Sequence, residues 1–253
     1  MSKPYATSIS HLFFFDVDGV IVDSEANHRR KNEIVAANHG GAIAPEDWAH
    51  LHGKGDRYIA GWLKDRFSGY ALSVDEHIAK STQAYMRTDG LAIRPGIVRT
   101  IRQLRTIKRQ CDDIFMVVGT NGDAGTLNHN LSMAGLSRSH FDLVIDADTA
   151  KNMALPPKHM PEYYTHVTAT ALEISGKTFP NRDIRRVVVL EDSPANIRAA
   201  HQAGCTTIQW LHPHSMNVPA EPVADHMLQP DKSPYDLLVG RARLDTKSAL
   251  RIA

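Results

Sequence analysis

His11-Leu12-Phe13-Phe14-Phe15-Asp16-Val17-Asp18-Gly19-Val20-Ile21-Val22-Asp23-Ser24, residues 11–24, runs an unbroken apolar stretch straight into two acids one residue apart. Residues 12–15 leave no polar face, which suits a central parallel strand covered on both sides rather than a half-exposed one. Asp16 and Asp18 then fall at the carboxyl end of that strand, where ligands sit in an open α/β sheet, and Gly19 lets the backbone turn away sharply. Packing does not account for the acids, because each ionised carboxylate taken out of water costs about several kcal/mol unless a cation or several donors compensate it. A hard, oxygen-preferring cation meets that need. Mg2+ fits, since one or two carboxylates hold it while water and substrate phosphate fill its other positions. Calcium fails on spacing: an EF-hand loop starting at Asp16 wants glycine at its sixth position and glutamate at its twelfth, where Ile21 and Asn27 stand.

Outward from this stretch, Ser24 caps a helix expected to reach Asn38, and Gly40 and Gly41 end it. The next convincing strand is residues 114–119, Ile-Phe-Met-Val-Val-Gly, and the interval is far longer than one βα crossover requires. That interval reads as helices at 56–67, with Tyr58, Ile59, Trp62 and Leu63 on one side, and at 74–88. A small helical cap domain is therefore expected at residues 23–92, inserted into an α/β core made of residues 1–22 and 93–253. Arg94-Pro95-Gly96 starts a helix whose Ile97, Ile101 and Leu104 line one face, with Arg99, Arg102, Arg105 and Arg109 on solvated sides. Strands at 114–119, 141–145, 187–191 and 206–210 then alternate with helical stretches ending at Gly135, Gly176 and Gly204, and a closing helix is expected at 235–244. The pattern specifies an α/β fold with a doubly wound, Rossmann-like parallel sheet.

Composition narrows the class. A chain of 253 residues with 42% hydrophobic content can bury a large core, and its net charge of +1 supplies no global field to recruit nucleic acid or an anionic membrane. Cys111 and Cys205 form no metal-ligand spacing, and buried free thiols in a reducing compartment are expected. Residues 1–10 lack an apolar signal core, and no run approaches the ~18 apolar residues of a membrane span, so a cytoplasmic location is expected. Nucleotide motifs fail: Gly176-Lys177-Thr178 has Ala171 where a P-loop needs glycine, and no GxGxxG follows a strand.

Three further clusters carry chemistry. Thr120-Asn121-Gly122-Asp123 ends the second strand and precedes a helix, whose unpaired N–H groups together with the Thr120 hydroxyl would make a phosphate pocket; ordinary turn chemistry is the other reading. Lys158 stands in Pro157-Lys158-His159-Met160-Pro161-Glu162, just before a proline-started helix. Residues 187–197, Val-Val-Val-Leu-Glu191-Asp192-Ser-Pro-Ala-Asn196-Ile, again run a buried strand into acids.

Taken in order, these clusters resemble the four motifs of the haloacid dehalogenase-like hydrolases. Residues 15–24 match the first motif and Thr120 stands at the second. Lys158 with Pro161 and Glu162 matches the third, although Pro157 and His159 stand where the family usually has glycine and proline; Lys151 is a weaker competitor. Residues 187–197, followed by Ala199-Ala200 and Ala203-Gly204, match the fourth, with Asn196 where glycine is usual. The resemblance implies that Asp16 attacks phosphorus to form an aspartyl phosphate and that Asp18 serves as acid and then base. It implies Mg2+ held by Asp16, the Asp18 backbone carbonyl, Asp192 and Glu191. Thr120, Asn121 and Lys158 would hold the phosphate, with Lys158 also restraining Asp16. An acid at Asp18 favours phosphoryl transfer over dehalogenation.

Asp23-Ser24-Glu25 with His28, and the loop of residues 50–57, are similar to the subgroup that holds β-phosphoglucomutase and phosphoglycolate phosphatase-like enzymes. In that likeness His28, His52, Lys54 and Arg57 would touch substrate. Three functions follow: a Mg2+-dependent phosphatase for a small phosphorylated metabolite such as a sugar phosphate, a sugar-phosphate mutase using the same aspartyl phosphate, or a non-catalytic binding module. The two costly acids argue against the last.

Overall fold

The apolar run at the head of the chain forms β1 (His11–Phe15), fully buried along its length. The computed structural model describes residues 9–51, 54–87, 90–179, 183–211 and 221–250, with the side chains of Cys111 and residues 243–250 outside that description. Two compact units emerge: Met1–Asp23 with Ile93–Ala253, and Ser24–Ala92.

The first unit is built on a six-stranded sheet. β4 (Ile114–Gly119), β5 (Leu143–Ile145), β6 (Val187–Glu191), β7 (Thr206–Trp210) and β8 (His226–Leu228) join β1 in the order β5-β4-β1-β6-β7-β8, all parallel. The chain first builds outward from β1 on the β4 side and then returns to build on the β6 side. The crevice beside β1, at the carboxyl ends of the strands, is thus the topological switch point of a doubly wound sheet. Both faces are covered: α5 (Ile97–Cys111) packs with α10 (Tyr235–Leu250), and α8 (Pro161–Ser175) packs with α9 (Pro194–Gln202). Double coverage explains why Phe13 and Phe14, consecutive residues that point to opposite faces of the sheet, are both buried and apolar. Two short segments, β2 (Val22–Asp23) and β3 (Ala92–Ile93), pair as a separate ribbon at the unit boundary.

The second unit comprises α1 (Glu25–Asn38), α2 (Trp48–Leu51), α3 (Asp56–Arg66) and α4 (Val74–Met86) around Val35, Trp48, Leu51, Ile59, Leu63 and Leu72. A polar network also lies inside it. The Tyr70 hydroxyl lies 2.5 Å from His77 Nδ1, His77 Nε2 lies 2.8 Å from Asn32 Oδ1, and Asn32 donates to Asp56 Oδ1 while Lys31 pairs with Asp56 Oδ2 at 2.7 Å.

The structure departs from the sequence reading in a few places. Tyr58 is 42% exposed and bonds His50 through its hydroxyl, while Ala60 takes the buried place beside Ile59 and Leu63. The third strand begins at Leu143 rather than 141, because the Asp142 carboxylate, not a backbone carbonyl, accepts the Met116 N–H. The closing helix continues to Leu250, with no glycine or proline after Gly240 to stop it. The strand His226–Leu228 has too little apolar pattern to be read from sequence. Buried Cys205 is a free thiol; Cys111 lies outside the described side chains. No described helix is long and apolar enough to cross a membrane.

Candidate active site

Strand register brings the distant acids together. Phe15 pairs with Val118 of β4 and with Leu190 of β6, so the next residue on each strand, Asp16, Gly119 and Glu191, arrives at one level of the sheet edge. Gly19, at φ +79, turns the chain beyond the acids, and a Cβ there would lie 1.9 Å from Asp192 Oδ2. Only glycine permits both the turn and the close approach of Asp192.

Lys158, in the loop before α8, is 4% exposed and sits at the centre of this edge. Its ammonium is 2.5 Å from Asp16 Oδ1, 2.7 Å from Glu191 Oε1 and 3.3 Å from the Gly119 carbonyl, three acceptors for three protons. A Cβ at Gly119 would strike the Phe14 ring at 2.6 Å, so the strand must end in glycine for this carbonyl to reach the lysine past the aromatic wall. Phe14, Tyr163 and Tyr164 pack edge to face in that wall.

Asp18 is held differently. The Thr120 hydroxyl donates to Asp18 Oδ2 at 3.2 Å and itself accepts the Gly122 N–H, while Asn130 Nδ2 donates to Asp18 Oδ1 at 3.2 Å. Asn130 lies on α6 (Ala124–Met133), capped by Asp123, and is fully buried. Sequence reasoning missed it. The signal was an amide at a buried helical position next to Leu127 and Leu131, where an apolar residue is the default.

Electrostatics single out the buried groups of this edge. Burial first, and then the nearby Glu191 charge, push the Asp16 carboxyl up to about 8, against the pull of Lys158. Burial and the same glutamate also hold Asp192 well above the usual carboxylate range. Burial alone would lower Lys158, but Asp16 and Glu191 outweigh it and hold the ammonium well above its ordinary value. Asp16 and Glu191 thus share one lysine, and Asp192 feels the charge of both acids. One carboxylate oxygen from each of Asp16, Glu191 and Asp192 falls within 4.8 Å of the others, a grouping that could hold a metal ion, whose charge would offset this repulsion.

The remaining sequence candidates belong to several elements. Asn121 is exposed beside Thr120. Lys151 lies on α7 (Ala147–Asn152), exposed, whereas Lys158 touches Asp16. His28, Lys54 and Arg57 belong to the helical unit. There His28 stacks on Tyr85 with ring centroids 4.8 Å apart, Lys54 lies over Tyr58, and exposed Arg57 pairs with Asp75 at 3.0 Å. His52 lies outside the described residues.

Known proteins share this fold. The family model described as haloacid dehalogenase-like hydrolase matches residues 11–204. A candidate beta-phosphoglucomutase from Thermotoga maritima has a similar fold, with a TM-score of 0.69 and 21% identity over 92% of this chain and 99% of the other. A point mutant of CbbY from Rhodobacter sphaeroides, solved with xylulose-(1,5)bisphosphate, gives a TM-score of 0.66 and 21% identity, covering 86% of this chain and 93% of that one. Protein SUPPRESSOR OF QUENCHING 1, chloroplastic, of Arabidopsis thaliana is 24% identical over 199 residues, 77% of this chain, which spans only 17% of that protein's length.

Proposed function

The chain belongs to the haloacid dehalogenase-like hydrolases, and we propose that it is a Mg2+-dependent phosphatase acting on a small phosphorylated metabolite, such as a sugar phosphate. The observation that carries this reading is a pair of acids at one strand end held in unlike ways. Asp16 is clamped through Oδ1 by Lys158, while Asp18 is steered by Thr120 and Asn130. Two-step hydrolysis needs that difference.

In the first step Asp16 Oδ2 attacks phosphorus, the ester P–O bond breaks, and Asp18 gives its proton to the departing oxygen. In the second, Asp18 takes a proton from water as that water attacks the aspartyl phosphate, which releases phosphate and restores Asp16. Thr120 and Lys158 face the transferring oxygens, with Asn121 beside them. Asp16, the Asp18 backbone carbonyl and Asp192 would hold Mg2+, with Glu191 alongside. Bound there, the ion offsets the negative charge that nucleophile and phosphate bring together. The inserted helical unit acts as the cap that chooses the substrate, through His28, His52, Lys54 and Arg57.

The test is a panel of phosphate esters with Mg2+, scoring free phosphate separately from isomerised ester. Free phosphate from wild type and none from Asp16→Asn is the expected result. Isomerised ester without net release would make the chain a mutase that returns the same phosphoryl group to another hydroxyl. Equal phosphate release by both proteins would remove Asp16 from the chemistry.

A further inference from the structure

Glu191 ends β6, is fully buried, and its carboxylate is saturated by the protein itself. Oε1 receives the Lys158 ammonium at 2.7 Å and the Asn196 side-chain N–H at 2.8 Å. Oε2 receives the backbone N–H groups of Asp192 and Ser193, each at 3.1 Å. An ionised carboxylate offers about four lone-pair sites, so four donors fill it. The two backbone donors come with the turn from β6 into α9. Lys158 is fixed from its other side by Asp16 and Gly119. Asn196, on the first turn of α9, is therefore the one donor that can be removed without altering the strand, the turn or the lysine.

We propose that Asn196 reserves Glu191 for Lys158 and so keeps it out of the metal's coordination shell. The ion is then held by Asp16 and Asp192 without a third carboxylate, although Glu191 stands close enough to contribute an oxygen. The gain is rigidity: a glutamate locked at four points holds Lys158, and through it Asp16 Oδ1, in one place whether or not the ion is bound. The cost is affinity, because Mg2+ sites bind more weakly as anionic ligands are withdrawn. Asn196 is thus a positioning residue that sets how tightly the site takes up its cation. The inference rests on the metal reading above.

The test is calorimetric titration of the full chain with Mg2+ alone, without any phosphate ester, in wild type, Asn196→Ala and Asn196→Gly. Alanine keeps the helix and glycine removes every side-chain atom, so a folding defect in one variant, visible by circular dichroism, leaves the other informative. Both variants should bind Mg2+ about tenfold more tightly, since a freed lone pair on Oε1 adds an anionic ligand. In a Glu191→Gln background the same Asn196 substitutions should bring no gain. Unchanged or weaker binding in both Asn196 variants would overturn the inference, and so would a gain that survives in Glu191→Gln. A wild-type chain that takes up no Mg2+ would refute the metal reading, and the inference with it.

Discussion

Asp16→Asn should abolish turnover and yet, in a chelator, make the protein more stable. Asparagine keeps the shape of the side chain and removes its charge. In the folded chain burial and Glu191 hold the Asp16 carboxyl at about 8, against 3.8 for a solvated group. An acid raised in this way binds its proton more tightly folded than unfolded, so its contribution to stability falls as pH climbs from about 4 towards 8. At about 1.4 kcal/mol per pH unit, the roughly three units between 3.8 and neutrality set a ceiling of about 4 kcal/mol. Asparagine forfeits the charge of the Lys158 contact but can still accept its proton, an offset of about 1–2 kcal/mol, since Lys158 keeps Glu191 and the Gly119 carbonyl. The net expectation at neutral pH is a gain of about 2 kcal/mol, or about 4–8 °C in the melting temperature. Urea and thermal unfolding followed by circular dichroism in EDTA would measure it, at pH 5 and at pH 8. The advantage of the variant should be larger at pH 8. Added Mg2+ should shrink it, because wild type then gains binding free energy that the variant largely lacks. A variant less stable than wild type in EDTA at both pH values would show that the acid cluster is not under the strain described.

Asn130→Leu, which replaces the amide bonded to Asp18 Oδ1 by an apolar group of the same branched shape, should lower kcat for ordinary esters by about 10–100-fold with the fold retained by circular dichroism; an unchanged kcat would free Asn130 from any part in placing the acid. His77 is held below its usual 6.5 by burial, so the unfolded chain takes up the proton first and the helical unit should lose stability as pH falls below about 6.5, by up to about 1.4 kcal/mol per unit. Hydrogen exchange of the Val74–Met86 amides would follow that loss, and an identical slope in His77→Gln would assign it to another group. Replacing Lys54 and Arg57 together with alanine should reduce kcat/KM for the natural ester about tenfold or more while sparing a small generic ester, as expected of charges that read only the substrate body. Equal losses on both would point to damage of the fold.

How much of this was legible depended on whether a residue's neighbours lay in its own sequence window. Phe13 to Asp18 could be read because one local fact, apolar residues running into acids, specifies both the buried strand and the position of its end. The stretch from Val187 to Asp192 was legible for the same reason, and strand register then brought Asp16, Gly119 and Glu191 level. Asn130 was not legible, since its partner Asp18 lies on another element and an amide inside a helix carries no local mark of purpose. Nor was the buried chain from Tyr70 through His77 and Asn32 to Asp56, whose members sit on separate segments of the helical unit. Asn196 falls between these cases. Its departure from glycine showed in the sequence, but the consequence needed the Glu191 carboxylate to be seen accepting from Lys158 and Asn196 on one oxygen and from two backbone N–H groups on the other. Strand ends are encoded by periodicity and motif, whereas the amides that aim the acids are encoded only by three-dimensional packing.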